Sequence, residues 1–335
     1  MSGPVLGTSP DAAPADVLEW LLDSDPAIRW QVMRDVQGAP ETRWAPERAR
    51  VASEGWGARL LALADDDGQW AGGAFLPHGF EPREWSEVGQ PWTATSFVVS
   101  QLRELGLDPR ADEARRMTRL VGAHAQWWDG QPFWAGETEE CINGRLVADG
   151  AYFGVDMSAL VERLLSERQQ DGGWNCERAK GSTRSSFATT INVLEGLLGD
   201  ERATGGTPAS REARRSGEEY LLERGLFRSL RAGGLADPAF LELEHPNRWH
   251  YDVLRGLDHF RAAAALDDSP ADPRLVDAVE HVRSRQRPDG RWLLDATPRG
   301  RVWFSVDEPV GEPSRWITLR ALRVLRWWDA RSSSR

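Results

Sequence analysis

Cysteine is nearly absent from this 335-residue chain, which holds only Cys141 and Cys176. Two cysteines cannot build a disulfide framework, so a small stapled scaffold is excluded. Tyrosine is scarce at 3 residues. No run approaches 18 consecutive apolar residues, which excludes a transmembrane helix. The stretch MSGPVLGTSPDAAPADVLEW has no basic segment followed by an apolar one, so no secretory signal is expected and the expected location is cytoplasmic. Basic residues are the minority, 41 against 52 acidic, for a net charge of −11. That balance argues against nucleic acid or an anionic membrane surface as the main partner, yet it leaves room for a small basic pocket.

What the chain has in excess is tryptophan, 17 residues, with 32 glycines beside it. Such a surplus implies repeated packing sites or an aromatic-lined cavity. A repeat is present. DDDGQW (65–70), QQDGGW (169–174) and RPDGRW (287–292) each place a tryptophan after an Asp-Gly turn, and WWDGQPFW (127–134) is a looser relative. Glycine in such a turn is free to adopt positive φ. Trp174 and Trp292 are 118 residues apart. That spacing makes two repeats of about 59 and puts a middle copy, without its tryptophan, near RAGGLADP (231–238).

Helical periodicity follows each turn. The stretches 93–106, 185–199, 249–266 and 314–328 are small or apolar on nearly all sides, as buried helices are. Between them, 111–128, 156–169, 209–225 and 272–286 carry one apolar stripe and one charged face, as surface helices do. Two further pairs fit at the N-terminal side: 15–22 with 25–36, and 45–63 ahead of 93–106. About twelve helices and almost no strand signal predict an all-α chain. The expected architecture is a single-domain α/α toroid of about six helical hairpins over residues 13–329, with flexible segments at 1–12 and 330–335. An open α-solenoid or a two-domain helical protein is the alternative.

These turns resemble the terpenoid cyclase and protein prenyltransferase superfamily, whose squalene cyclase branch repeats a Q-x-x-x-G-x-W turn. Gln286, Gly290 and Trp292 match it in full, while Ala64 and Arg168 replace the glutamine in the other copies. The departures are specific. The D-x-D-D acid motif of the cyclases is missing, and Asp65, Asp66 and Asp67 sit inside a turn. Asp267, Asp268 and Asp272 approach the diphosphate-ionising D-D-x-x-D pattern, but with one residue too many and Pro270 between them, so they read as a loop. Single-toroid relatives often carry zinc at the barrel mouth. NGRLVADGAYFG (143–154) resembles the prenyltransferase stretch that supplies Asp and Cys; Asp149 matches, but Ala151 replaces the cysteine.

Cys141 and Cys176 lie in equivalent segments of adjacent repeats, each ahead of an expected inner helix, and His250 opens a later one. Cys, Cys and His form a sound zinc triad with one open position, and lanthionine cyclases are toroids with that ligand set. Two buried structural thiols are the alternative. In HPNRWHYDVLRGLDHF (245–260), His250 and Asp252 are candidates for proton transfer, unless Asp252 simply caps its helix. Arg145 and Arg184 are candidates to hold an anionic head group, with an ion pair to Glu177 or Asp149 as the alternative. Tyr152, Phe153, Phe187, Trp249, Tyr251, Arg255 and Trp316 are the remaining candidates for lining a substrate cavity. The resulting expectation is a squalene cyclase- or prenyltransferase-like toroid. It binds a small apolar or isoprenoid molecule in a mainly apolar central cavity, with zinc-assisted or acid–base chemistry at the mouth. A non-catalytic toroid that binds a ligand or protein is the alternative.

Overall fold

The computed structural model describes residues 14–231 and 233–332, so the expected flexible segment 1–12 and residues 333–335 lie outside the described chain. Fourteen α-helices follow in order among those residues: α1 (Ala15–Leu22), α2 (Pro26–Gln31), α3 (Glu41–Ala49), α4 (Gly55–Leu61), α5 (Glu84–Glu87), α6 (Thr95–Leu105), α7 (Asp112–His124), α8 (Glu140–Tyr152), α9 (Ser158–Ser166), α10 (Phe187–Thr204), α11 (Pro208–Leu222), α12 (Val253–Asp267), α13 (Val276–Ser284) and α14 (Arg315–Ser332). The chain is all-α apart from two-residue strands β1 (Gln90–Pro91) and β2 (Gly300–Arg301), which pair in parallel. No described helix is long and apolar enough to cross a membrane.

Six segments carry a large share of the core: α2 with the π-helical turn Val32–Val36 that continues it, α6, α8, α10, α12 and α14. They touch in cyclic order. α6 packs on α8, α8 on α10, α10 on α12, α12 on α14, and α14 returns to α2. The last gap, α2 to α6, is closed by hydrogen bonds. Trp30 Nε1 donates to the Leu105 carbonyl at 3.0 Å and Gln31 Nε2 to the Glu104 carbonyl at 3.2 Å. The helices α7, α9, α11 and α13 each bury one stripe and leave the opposite side to solvent.

The Asp-Gly-x-Trp turns explain how each outer helix is fixed to the inner one that follows. The turn glycine takes positive φ, 83° at Gly68, 97° at Gly172 and 78° at Gly290. The tryptophan behind it is fully buried in all three copies. Its indole N–H caps the preceding outer helix: Trp70 donates to Leu60 O at 2.8 Å, Trp174 to Leu164 O and Trp292 to Val282 O, both at 2.7 Å. These carbonyls lie near helix C-termini, where in-helix partners run out. The tryptophan backbone N–H in turn donates to a threonine hydroxyl in the first turns of the next inner helix, Thr95, Thr190 or Thr318, at 3.1 Å each time. In the fourth, looser copy, Trp127 sits before the turn and donates to Phe133 O at 2.8 Å.

Among the described residues, α8 and α10 share the most extensive helix contact. A Cβ on Gly144 would stand 2.6 Å from the Asn192 backbone, and one on Gly196 2.4 Å from the Gly144 carbonyl. Only glycine permits that spacing.

Three boundaries differ from expectation. The stretch 45–63 is not one helix: α3 passes into a 3-10 turn at Arg50–Ala52, and α4 restarts at Gly55 with φ 65°. The expected helix at 249–266 begins only at Val253, because Asp252 caps it by accepting from the Arg255 N–H at 2.6 Å. At the other terminus α14 runs on to Ser332, through part of the segment expected to be flexible.

Trp174→Ala should cost roughly 3–5 kcal/mol in urea unfolding, as truncations of buried aromatics do. Trp174→Phe, which keeps an aromatic ring but loses the bond to the Leu164 carbonyl, should cost about 0.5–1.5 kcal/mol. A loss under about 1 kcal/mol for the alanine variant rules out the bracing role.

Candidate functional site

Between the inner helices lies a cavity of about 500 Å³. Its lining corrects the expectation of an apolar pocket. Eight arginines (34, 103, 202, 248, 255, 261, 320 and 323) face three carboxylates, Glu104, Glu195 and Asp258. Tyr152, Trp30 and Trp316 are the aromatic contributions, with His245 and His259 beside them.

Some of these charges are paired. Arg255 grips Glu195 through two bonds of 2.8 and 2.7 Å. Burial pushes Glu195 up, but Arg255 and the nearby Arg103 and Arg145 outweigh it and hold the carboxyl at about 2. Arg323 and Arg261 bond Asp258, and Arg320 stands 3.9 Å from it. Burial alone would raise Asp258, yet these cations hold it far below the usual carboxylate range.

Others have no hydrogen bond to a carboxylate among the described residues. Arg248 is 5% exposed and has no carboxylate within 4 Å among the described residues; its only polar side-chain contact is Gln101 Oε1 at 3.3 Å. Burial lowers its pKa to about 10, with Arg145 adding to the effect. Arg145, on α8, is also buried. It donates to the Arg248 carbonyl and comes no nearer than 3.9 Å to a carboxylate, that of Glu104. Arg202 reaches only the Ala262 carbonyl, at 2.7 Å. Arg248 further holds φ at 55°, in the left-handed region that a non-glycine residue seldom occupies. His245 stacks on Trp316 with ring centroids 4.9 Å apart. Burial first, then Arg320 and Arg248, push it well below the ordinary histidine range, so it is neutral at pH 7.

A second cluster lies where α8 begins. Cys141 sits in the first turn of α8, not in a loop, and Cys176 follows the Trp174 turn. Their sulfurs and a Glu139 carboxylate oxygen all fall within 4.8 Å of one another. The buried Cys141 thiol faces the Cys176 sulfur and stands 3.7 Å from Glu139 Oε2. Cys176 accepts from Thr189 Oγ1 at 3.5 Å. Contact with Cys176 first, and burial second, push the Cys141 thiol well up. The Cys141 thiol, helped by Thr189 and opposed by burial, brings Cys176 down to about 7.

The predicted site residues divide accordingly. Tyr152, Arg255 and Trp316 line the cavity, and Arg145 abuts it through Arg248. Phe153 is buried against Tyr152. Phe187 and Tyr251 pack on each other and on Phe240, away from the cavity lining. Arg184 is exposed. Trp249 is partly exposed and donates to Gln90 Oε1 at 2.9 Å. His250 precedes α12 and faces Glu244 at 3.1 Å, with Trp249 and Trp92 at its edges; it is not in the sulfur cluster. Asp252 is fully buried and saturated, accepting from the N–H groups of Arg255 and Glu244 and from Asn247 Nδ2. Asp149 is held by Arg103 at 2.6 Å and Ser100 at 2.5 Å, not by the cysteines.

Sequence reasoning missed Arg103, Arg248, Arg320 and Arg323. Arg103, Arg320 and Arg323 interrupt otherwise apolar helices, a visible signal that does not fix which way they point, and Arg248 lies on the loop ahead of α12. No protein-family model matches the chain, and no curated protein matches it.

Iodoacetamide should modify Cys176 with a midpoint near pH 7 and leave Cys141 unreacted over the same range. Peptide mass mapping across a pH series reads both rates, and equal rates at the two thiols contradict this placement.

Proposed function

We propose that the chain is a closed α/α toroid whose central cavity holds a small molecule bearing a phosphate, diphosphate or similar compact anionic group. The cyclic contacts of six helices support the toroid. The observation that carries the ligand class is Arg248: a guanidinium buried with no carboxylate within 4 Å among the described residues, beside Arg145, whose nearest carboxylate oxygen, on Glu104, stands 3.9 Å away. Taking an ion out of water without a partner costs several kcal/mol. An anionic ligand supplies the missing partner, and guanidinium pairs grip phosphate with two parallel bonds. The resemblance to the terpenoid cyclase and prenyltransferase superfamily points to an enzyme, with an isoprenoid diphosphate as the member of this ligand class to test first. The charged lining favours recognition of the head group over an extended apolar tail. Tyr152, Trp30 and Trp316 provide the limited apolar surface.

Inorganic pyrophosphate and farnesyl diphosphate should raise the melting temperature, by about 2.7 kcal/mol of stabilisation at a hundredfold excess over Kd, while farnesol should not. Arg248→Gln removes an uncompensated charge. It should melt at or above the parent temperature without ligand and lose the pyrophosphate shift. A shift that persists in this variant overturns the assignment.

A second reading concerns zinc at the mouth, on a donor set that exchanges His250 for Glu139. Two thiols and a carboxylate within 4.8 Å suit a zinc ion. Sulfurs about 2.3 Å from one ion stand about 3.8 Å apart across a tetrahedral angle, leaving a fourth position open. One zinc per chain should be present in protein purified without chelator and absent from Cys141→Ser; elemental analysis decides it.

A further inference from the structure

The chain's two cysteines are 35 residues apart in sequence, on two different segments, yet their thiols meet. Each is held in place by packing that does not involve sulfur. Cys141 rides on α8, fixed to α10 where Gly144 meets Gly196. Cys176 follows the Trp174 brace, and its backbone N–H donates to Thr189 Oγ1 on that same α10 at 3.2 Å. Both sulfurs are therefore referenced to one rigid helix pair. Access is unequal, since Cys141 is buried and Cys176 only half-buried.

We propose that Cys141 and Cys176 form a reversible intramolecular disulfide, a redox modification site at the N-terminal end of α8. The oxidant class is a small-molecule disulfide. The Cys176 thiolate attacks one sulfur of the oxidant, whose S–S bond breaks and releases one thiolate. The Cys141 thiolate then attacks the Cys176 sulfur of the mixed disulfide, forming the protein S–S bond and releasing the second thiolate. Two protein thiols and one small disulfide thus give one protein disulfide and two small thiols, and a dithiol reverses the exchange. Access sets the order, because an external reagent reaches the half-buried sulfur first. The inference rests on the sulfur pair and not on the zinc reading.

The test uses the full chain, with zinc content measured first and any metal then removed with chelator. Oxidised glutathione is added, the mixture is acid-quenched, and peptides are mapped by mass. The expected result is loss of both free thiols, a Cys141–Cys176 cross-linked peptide in monomeric chain, no retained glutathione, and recovery of both thiols with dithiothreitol. Cys141→Ser should instead retain one glutathione on Cys176. Two free thiols, a glutathione persisting on the parent chain, or cross-linked dimers overturn the proposal. Zinc absent with the cross-link formed rejects only the zinc reading. Zinc present with no cross-link after chelation rejects only this one.

Discussion

A buried indole that donates to the end of one helix, while its own backbone donates to the start of the next, is the constraint on which the rest of the architecture depends. Each of Trp70, Trp174 and Trp292 satisfies an outer-helix carbonyl and takes a threonine hydroxyl from an inner helix. Burying a tryptophan is favourable through its area, but the N–H must find a partner. A carbonyl near a helix end has an acceptor site to spare and gives the buried N–H that partner. Because the same pair of bonds recurs at all three turns, α6, α10 and α14 are each tied in the same way to the helix that precedes the turn. Their contacts then propagate from α6 through α14 and back to α2.

That scaffold leaves an interior which is not oily. The inner helices pack apolar flanks on their neighbours and turn arginines inward. The consequence is electrostatic: Glu195 and Asp258 remain charged although buried, because Arg255 and Arg323 stand against them. Breaking one partner of such a set leaves an unpaired charge, at a cost of about 3–5 kcal/mol. The surplus guanidinium of Arg248 already sits in that state, held by a left-handed backbone. Strain and an uncompensated charge at one residue in a cavity are jointly unfavourable for folding. Such features gather where a protein meets a ligand.

The helical class, the alternation of inner and outer helices, and the bracing role of the Asp-Gly-x-Trp turns were legible because each depends on local periodicity or turn chemistry. So was the approach of Cys141 to Cys176, which follows from matching positions in successive repeats. The cavity was not legible. Whether Arg255 or Arg320 points inward or along a helix flank is a matter of a few tens of degrees of helix rotation, set by tertiary packing. His250 misled for a related reason. It falls in an apparent helix by periodicity, but the Asp252 cap delays the start of α12 and leaves His250 on a loop beside Glu244. Glu139 was overlooked as a neighbour of the sulfurs because Cys141 was expected ahead of its inner helix, whereas it lies in the first turn of α8, directly after Glu139 and Glu140.

The π-helical turn at Val32–Val36 continues α2 with one residue more per turn than an α-helix needs. Such a turn behaves as a single-residue insertion: everything after it is rotated by about a quarter turn relative to an uninterrupted helix. Arg34 lies within it, stacked 4.4 Å above the Trp30 ring and facing the cavity, and Asp35 reaches Arg323 on α14. The azimuth of these two side chains is thus fixed by residue count and not by residue type. Deleting Met33 alone would conserve every charge in the chain and still rewire the cavity wall. Changes in length at this point are therefore a lever on specificity that a comparison of substitutions alone would overlook.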